Sequence, residues 1–180
     1  MTKIRIRHPQ VFKNELRTNT ELASGTNIYA CCRICYHQRM PEKVVIDTSV
    51  MISALIGKRG ASREVIRRCL IGKYLPLISN SLFQEFEDVS SRKVVREVCP
   101  LSAGDIRELL NAFYSVCSWV PIYYLWRPNL QDEGDNFLIE LALAGNSQTI
   151  VTNNVKDLQA AELKFDDLRV LKPQQLLRGD

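Results

Sequence analysis

A chain of 180 residues, 46% hydrophobic and 24% charged, has the size and composition of one ordinary globular domain with room for a real core. It holds no apolar run long enough for a membrane span, and its first twenty residues contain no apolar signal-peptide core. The expectation is a cytoplasmic protein whose six cysteines are thiols, and neither a membrane protein nor a secreted disulfide scaffold. The net charge of +4 is uneven. Residues 1–39 carry seven Lys/Arg against Glu15 and Glu21, a net of +5, which leaves the remainder at −1. The basic character therefore belongs to the leader, and overall charge is poor evidence for nucleic-acid binding by the rest.

Residues 1–39 show no sustained helical or strand period and read as a basic, poorly ordered extension. They end in ACCRICYHQR, where Cys31, Cys32, Cys35 and His37 fall within seven residues. A structural zinc site normally pairs two separated knuckles, so this crowding favours incidental thiols over zinc. A further reading makes Met40 the true start. From residue 40 to 180 the pattern becomes regular. VVI (44–46) is a short β-branched run suited to a central parallel strand. SVMISALIG is helix-compatible up to Gly57. SREVIRRCLIGKYL reads as an amphipathic helix with Val65, Ile66, Cys69 and Leu70 on one face. LPLIS (75–79) reads as a second strand. NSLFQEFEDV opens a helix capped by Asn80 or Ser81. RKVVREVC is another helical piece, and SAGDIRELLNAFYSV begins with a capping-box pattern at Ser102 and Asp105. WVPIYY (119–124) is a candidate third strand and RPNLQDEGD a loop. NFLIELALAG is a helix with Gly145 as its C-cap, TIVT (149–152) a fourth strand, RVL (169–171) a fifth, and PQQLL a last short helix begun by Pro173. Apolar strands alternating with helices predict an α/β fold: three layers, with a mainly parallel sheet of about five strands between helices. Cys69, Cys99 and Cys117 read as packing residues, and Trp119 and Trp126, which could stack on bases, read rather as core.

The polar residues are placed on that scaffold. Asp47 follows the first strand, and Asn153 and Asn154 follow the fourth. Ligands of open parallel sheets bind beyond the carboxyl ends of the strands. Glu85 shares a helix face with Ser81, and Asp132 and Asp135 stand three apart at the mouth of the 136–144 helix. Asp47, Glu85, Asp132 and Asp135 can thus converge at one end of the sheet. Four carboxylates in one crevice imply a cation, and oxygen ligands suit Mg²⁺ or Mn²⁺ better than zinc. Singly, each acid has a plainer reading: Asp47, Ser49 or Asp135 as a helix cap, Glu85 as a solvated charge.

Four segments carry a family resemblance: VVIDTSVMISAL, SNSLFQEFEDV, RPNLQDEGDNFLIELALAG and TIVTNNVKDL. From Lys43 to about Leu177, three quarters of the chain, the sequence resembles PIN-domain ribonucleases, and among them the VapC-like toxins of bacterial type II toxin–antitoxin pairs. The resemblance implies a three-layer α/β/α fold and an endoribonuclease that hydrolyses phosphodiester bonds in single-stranded RNA with Mg²⁺ or Mn²⁺. It implies a cognate antitoxin as partner and is compatible with a homodimer. Asp47 resembles the family's first metal-binding acid, Glu85 the second and Asp135 the third, with Asp132 an added acid in the same loop. Ser49 resembles the hydroxyl that orients the first acid or a water at the metal. Asn154 stands where many members carry Asp, which lowers the charge of the site by one and puts a second metal in doubt. Arg127 and Lys156 are candidates for holding an RNA phosphate, with structural pairing as the alternative. The leader departs from the family pattern. Two other readings remain: a non-catalytic PIN-like module that binds RNA or protein, and a haloacid-dehalogenase-type phosphatase. The latter needs a second Asp where this chain has Ser49.

Overall fold

Val44, Val45 and Ile46 are almost wholly shielded from solvent, and that burial is what makes them the centre of the sheet. Each such side chain contributes about 1.5–3 kcal/mol relative to an exposed position. The computed structural model describes residues 40–125, 136–159, 165 and 167–179. The leader, its Cys31/Cys32/Cys35/His37 cluster, Trp126, Arg127, Asp132 and Asp135 lie outside the described residues.

The chain runs β1 (Glu42–Ile46), α1 (Thr48–Ile56), α2 (Ala61–Leu70), β2 (Tyr74–Ile78), α3 (Asn80–Ser91), α4 (Lys93–Val98), α5 (Ala103–Val116) and β3 (Ser118–Trp119). It continues through α6 (Asn136–Ala144), β4 (Thr149–Val151), α7 (Val155–Gln159), β5 (Arg169–Leu171) and α8 (Pro173–Arg178). Among the described residues, five strands form one sheet in the order β3-β2-β1-β4-β5, with every pairing parallel. This is the predicted parallel α/β/α architecture. Parallel neighbours need crossover connections, and the helices supply them. The chain first moves from β1 outward to β2 and β3, then returns to the other side of β1 for β4. The crevice beyond the carboxyl ends of β1 and β4 is therefore the topological switch point. Register brings the two strand ends level, since Ile46 pairs with Val151.

Several local expectations are corrected. The third strand is two residues long, not six. Val120 still donates its N–H to Ile78 O, but Pro121 follows with no N–H to offer. Trp119 is half-exposed at this edge, its ring 5.5 Å from that of Phe83, and is not a core residue. The cap of α3 is Ser79, whose hydroxyl accepts from Leu82 N–H at 3.4 Å, one or two residues before the predicted position. Gly145 directly follows α6, as expected of its C-cap, while the residue with left-handed backbone is the next one, Asn146, at φ 53°. Gly145 is required for another reason: a Cβ there would run into the Leu77 side chain. The helix 61–70 ends before Gly72, itself at φ +78°, so Tyr74 already belongs to β2. The capping box at Ser102 and Asp105 forms as expected. Cys69 is buried, and burial pushes its thiol up to about 12.

Candidate active site

Asp47 occupies the N-cap position of α1, yet its side chain makes no capping hydrogen bond. The plainer reading of Asp47 as a helix cap therefore does not hold. Its carboxylate, 9% exposed, turns instead toward the crevice. Two hydroxyls donate to the same oxygen, Oδ2: Ser49 Oγ at 2.5 Å and Thr152 Oγ1 at 2.6 Å. Each hydroxyl is itself oriented from behind by a backbone amide. Asn153 N–H donates to Ser49 Oγ at 3.1 Å, and Asn154 N–H donates to Thr152 Oγ1 at 2.9 Å. A hydroxyl that accepts from an amide has its own proton left for the carboxylate. Two successive amides of the turn after β4 thus set the direction of both hydrogen bonds into Asp47. The Asn153 side chain locks the turn to α1, with Nδ2 donating to Ser49 O and Ser53 Oγ, each at 3.0 Å. Asp47 N–H completes the ladder by donating to Val151 O at 2.9 Å. All of these bonds engage Oδ2 or its supports. None among the described residues reaches Oδ1.

This carboxylate opens on a cleft of about 220 Å³ that Ser49, Glu85, Arg92, Thr152 and Asn154 also line. The structure therefore brings Asp47, Ser49, Glu85 and Asn154 together as the strand-end argument requires. Lys156 is exposed on α7 and does not line the cleft. Arg127, Asp132 and Asp135 lie outside the described residues. Among the described residues no group of three or more His, Cys, Asp and Glu side chains gathers as a cation site, and the described carboxylates of the cleft are Asp47 and Glu85.

Two lining residues escaped the sequence argument. Thr152 looked like the last residue of a strand. Its signal is positional: parallel register sets it beside Asp47, one step beyond the Ile46–Val151 pair. Arg92 follows Glu85 by seven residues, two turns on along the same helix face, caps the C-terminus of α3 and lines the cleft. Thr48, just after Asp47, keeps its hydroxyl buried without a hydrogen-bond partner among the described residues.

A parallel sheet with its switch point at β1 and β4, and an acid held there by two strand-end hydroxyls, define a site-bearing α/β domain. The PIN domain family model matches residues 43–156, and the chain belongs to that family. Among solved structures, it is similar to a chain of VapBC2 from Rickettsia felis, crystallised bound to a DNA fragment from their promoter. The identity is 16%, the TM-score 0.50, and the match covers 72% of this chain and 98% of that one. At that identity the likeness concerns the fold. No curated protein matches the chain.

Proposed function

We propose that the protein is a metal-dependent endoribonuclease acting on single-stranded RNA, the toxin of a toxin–antitoxin pair that works in the cytoplasm. The observation that carries the reading is Asp47. A nearly buried carboxylate has given up its capping role and is aimed into a cleft by two hydroxyls whose own donors are fixed. A purely structural Asp at a helix start would cap the helix. Membership of the PIN family and the likeness to a VapBC2 chain support the nuclease class and an antitoxin partner.

The donor set fits a hard divalent cation. The carboxylates of Asp47 and Glu85 and the amide of Asn154 bring only oxygen and nitrogen of low softness to the cleft, and among the described residues no thiol or imidazole lines it. Asp47 and Glu85 would hold Mg²⁺ or Mn²⁺, with Asp132, Asp135 and Asn154 as further ligands. When bound, such a cation neutralises charge on a phosphate and makes water more acidic. The chain's own part is positioning. Ser49 and Thr152 keep the Asp47 carboxylate in one orientation, so that no reorganisation is needed when a charged substrate arrives. Glu85, from α3, lines the same cleft. Arg127, outside the described residues, and Lys156, exposed on α7, are the further candidates for phosphate contacts. The test is cleavage of a single-stranded RNA by the purified protein with Mg²⁺, with Mn²⁺ and with chelator, against a duplex control. Cleavage of the single strand that chelator abolishes is expected. Equal cleavage in chelator, or none under any condition, contradicts the reading.

A further inference from the structure

One face of α3 supplies the wall of the cleft through Glu85, Val89 and Arg92, at i, i+4 and i+7. Seven residues of helix span about 10 Å, or about three stacked nucleotides at ~3.4 Å each, and fewer of an extended strand. Arg92 also closes α3 and opens α4, so it stands on the corner where the cleft meets the surface. Its guanidinium is paired with Asp88 at 2.6 Å, and both side chains are well exposed. Such a pair contributes at most about 1 kcal/mol, so a phosphate can displace it at little cost. One turn further, Arg96 is exposed and makes no ion pair among the described residues. It borders a small polar recess with Ser90, Ser91 and Arg107, and Arg107 is already held by Glu87 at 2.8 Å. Glu85 and Arg92 both line the cleft, an acid and a cation two turns apart along one helix face, which suits a chain of phosphates that meets the acids only at its reacting group.

We infer that Arg92, which lines the cleft at the α3–α4 corner, binds a backbone phosphate of the RNA, and that Arg96 takes the next one as the strand leaves over that corner. The inference rests on the nuclease reading above and names the substrate contacts of that same site. A guanidinium presents paired donors that match two phosphate oxygens, which makes Arg92 a substrate-positioning residue.

The test uses the full chain and a fluorescent single-stranded RNA, with binding measured across a range of KCl in chelator and again with Ca²⁺. Arg92→Ala is expected to weaken binding about tenfold near 0.1 M salt. It should also flatten the dependence of log Kd on log salt by about 0.7, the release expected for one single-strand phosphate contact. Arg96→Ala should do the same to a smaller degree. Arg92→Lys should keep the slope, and Asp88→Ala should leave binding equal or tighter. Arg178→Ala, the same charge change on α8, is the control. In Mg²⁺, Arg92→Ala should raise KM for cleavage with kcat within about twofold. Wild-type binding that Arg92→Ala leaves unchanged in Kd and slope overturns this inference and spares the nuclease reading. An equal loss in Arg178→Ala also overturns it, because the effect is then one of total charge. No binding by the wild type in either buffer overturns both.

Discussion

Asp47 depends on two hydroxyls that differ in how visible they are. Ser49 lies in the same short motif, whereas Thr152 reaches Asp47 from a strand 105 residues away. Thr152→Val keeps the shape and removes the donor, leaving its share of Oδ2 unsatisfied and the Asn154 N–H without its acceptor. The expected cost is about 1–2 kcal/mol of stability and about 10–100-fold in cleavage, the usual effect of removing a group that orients a ligand. Melting curves and single-turnover cleavage check the two numbers. Asn154 gives a complementary test. It is exposed and lines the cleft, so Asn154→Asp adds a charge where the cation is proposed to sit. Tighter Mg²⁺ or Mn²⁺ binding by calorimetry and a slightly lower melting temperature without metal are the expected pair of effects. Equal metal affinity in both proteins would show that this position does not meet the cation. At this scale the sequence was informative about chemistry and poor about geometry. Residue types at strand ends pointed to Asp47 and Asn154, and a helix face shared with Ser81 pointed to Glu85. The Thr152 contact follows only from sheet register, and Arg92 only from extending one helix face past its acid.

Elements were most legible where a local rule and the tertiary demand coincide. VVI became a buried strand, and Ser102 with Asp105 a capping box. Misreadings came where tertiary contacts decide. The apolar run after Ser118 lacks a further strand to pair with and contains Pro121, so β3 stops at two residues. Gly145 takes its expected place directly after α6, but the left-handed backbone falls to Asn146, and the glycine is needed for packing against Leu77. Gly145→Ala therefore sets two terms against each other. Alanine gains up to about 1 kcal/mol in helical preference. Forcing a methyl into the buried Leu77 side chain costs about 1–3 kcal/mol. Since Leu77 is only 2% exposed and has nowhere to move, the clash wins and a net loss of about 1–2 kcal/mol in denaturant titration is expected. The contact between α3 and α5 gives a pH test. Arg107 holds the Glu87 carboxylate below its ordinary value, and the Tyr114 hydroxyl adds to this, donating at 3.0 Å. A carboxylate depressed in the fold contributes stability above its unfolded value of 4.5 and loses it as pH falls through the folded value. Glu87→Gln should therefore cost about 1 kcal/mol at pH 7. That difference in melting temperature should shrink as pH falls below 4. A difference independent of pH would show that packing, not charge, is what the substitution removes.

For the whole molecule, the order of strands matters more than any one of them. A chain that winds outward from β1 and returns on its other side leaves one crevice, and the acids of the first and third helices meet there. That convergence was arguable from sequence because each acid stands at a fixed distance from a recognisable strand or helix start. The order β3-β2-β1-β4-β5 was not, since nothing local specifies which strands are neighbours. We propose that this domain begins at residue 40 and that the basic leader adds nonspecific affinity for RNA. A protein starting at Met40 is expected to melt within about 5 °C of the full chain, to keep metal-dependent cleavage, and to bind RNA with a weaker salt dependence. A larger drop in melting temperature would show that residues 1–39 belong to the folded unit.

We propose that Asp47 serves the reaction and not the fold, and a single substitution separates the two roles. Asp47→Asn keeps the size of the side chain and an oxygen able to accept from Ser49 and Thr152, but removes the charge. Single-turnover cleavage of single-stranded RNA in saturating Mg²⁺ should fall by at least about a thousandfold, of the order lost when a group central to transition-state charge is removed. The melting temperature without metal should stay equal or rise, because a buried charge has been neutralised in a cleft that Glu85 also lines. Cleavage retained at the wild-type rate in a folded Asp47→Asn protein would contradict the account.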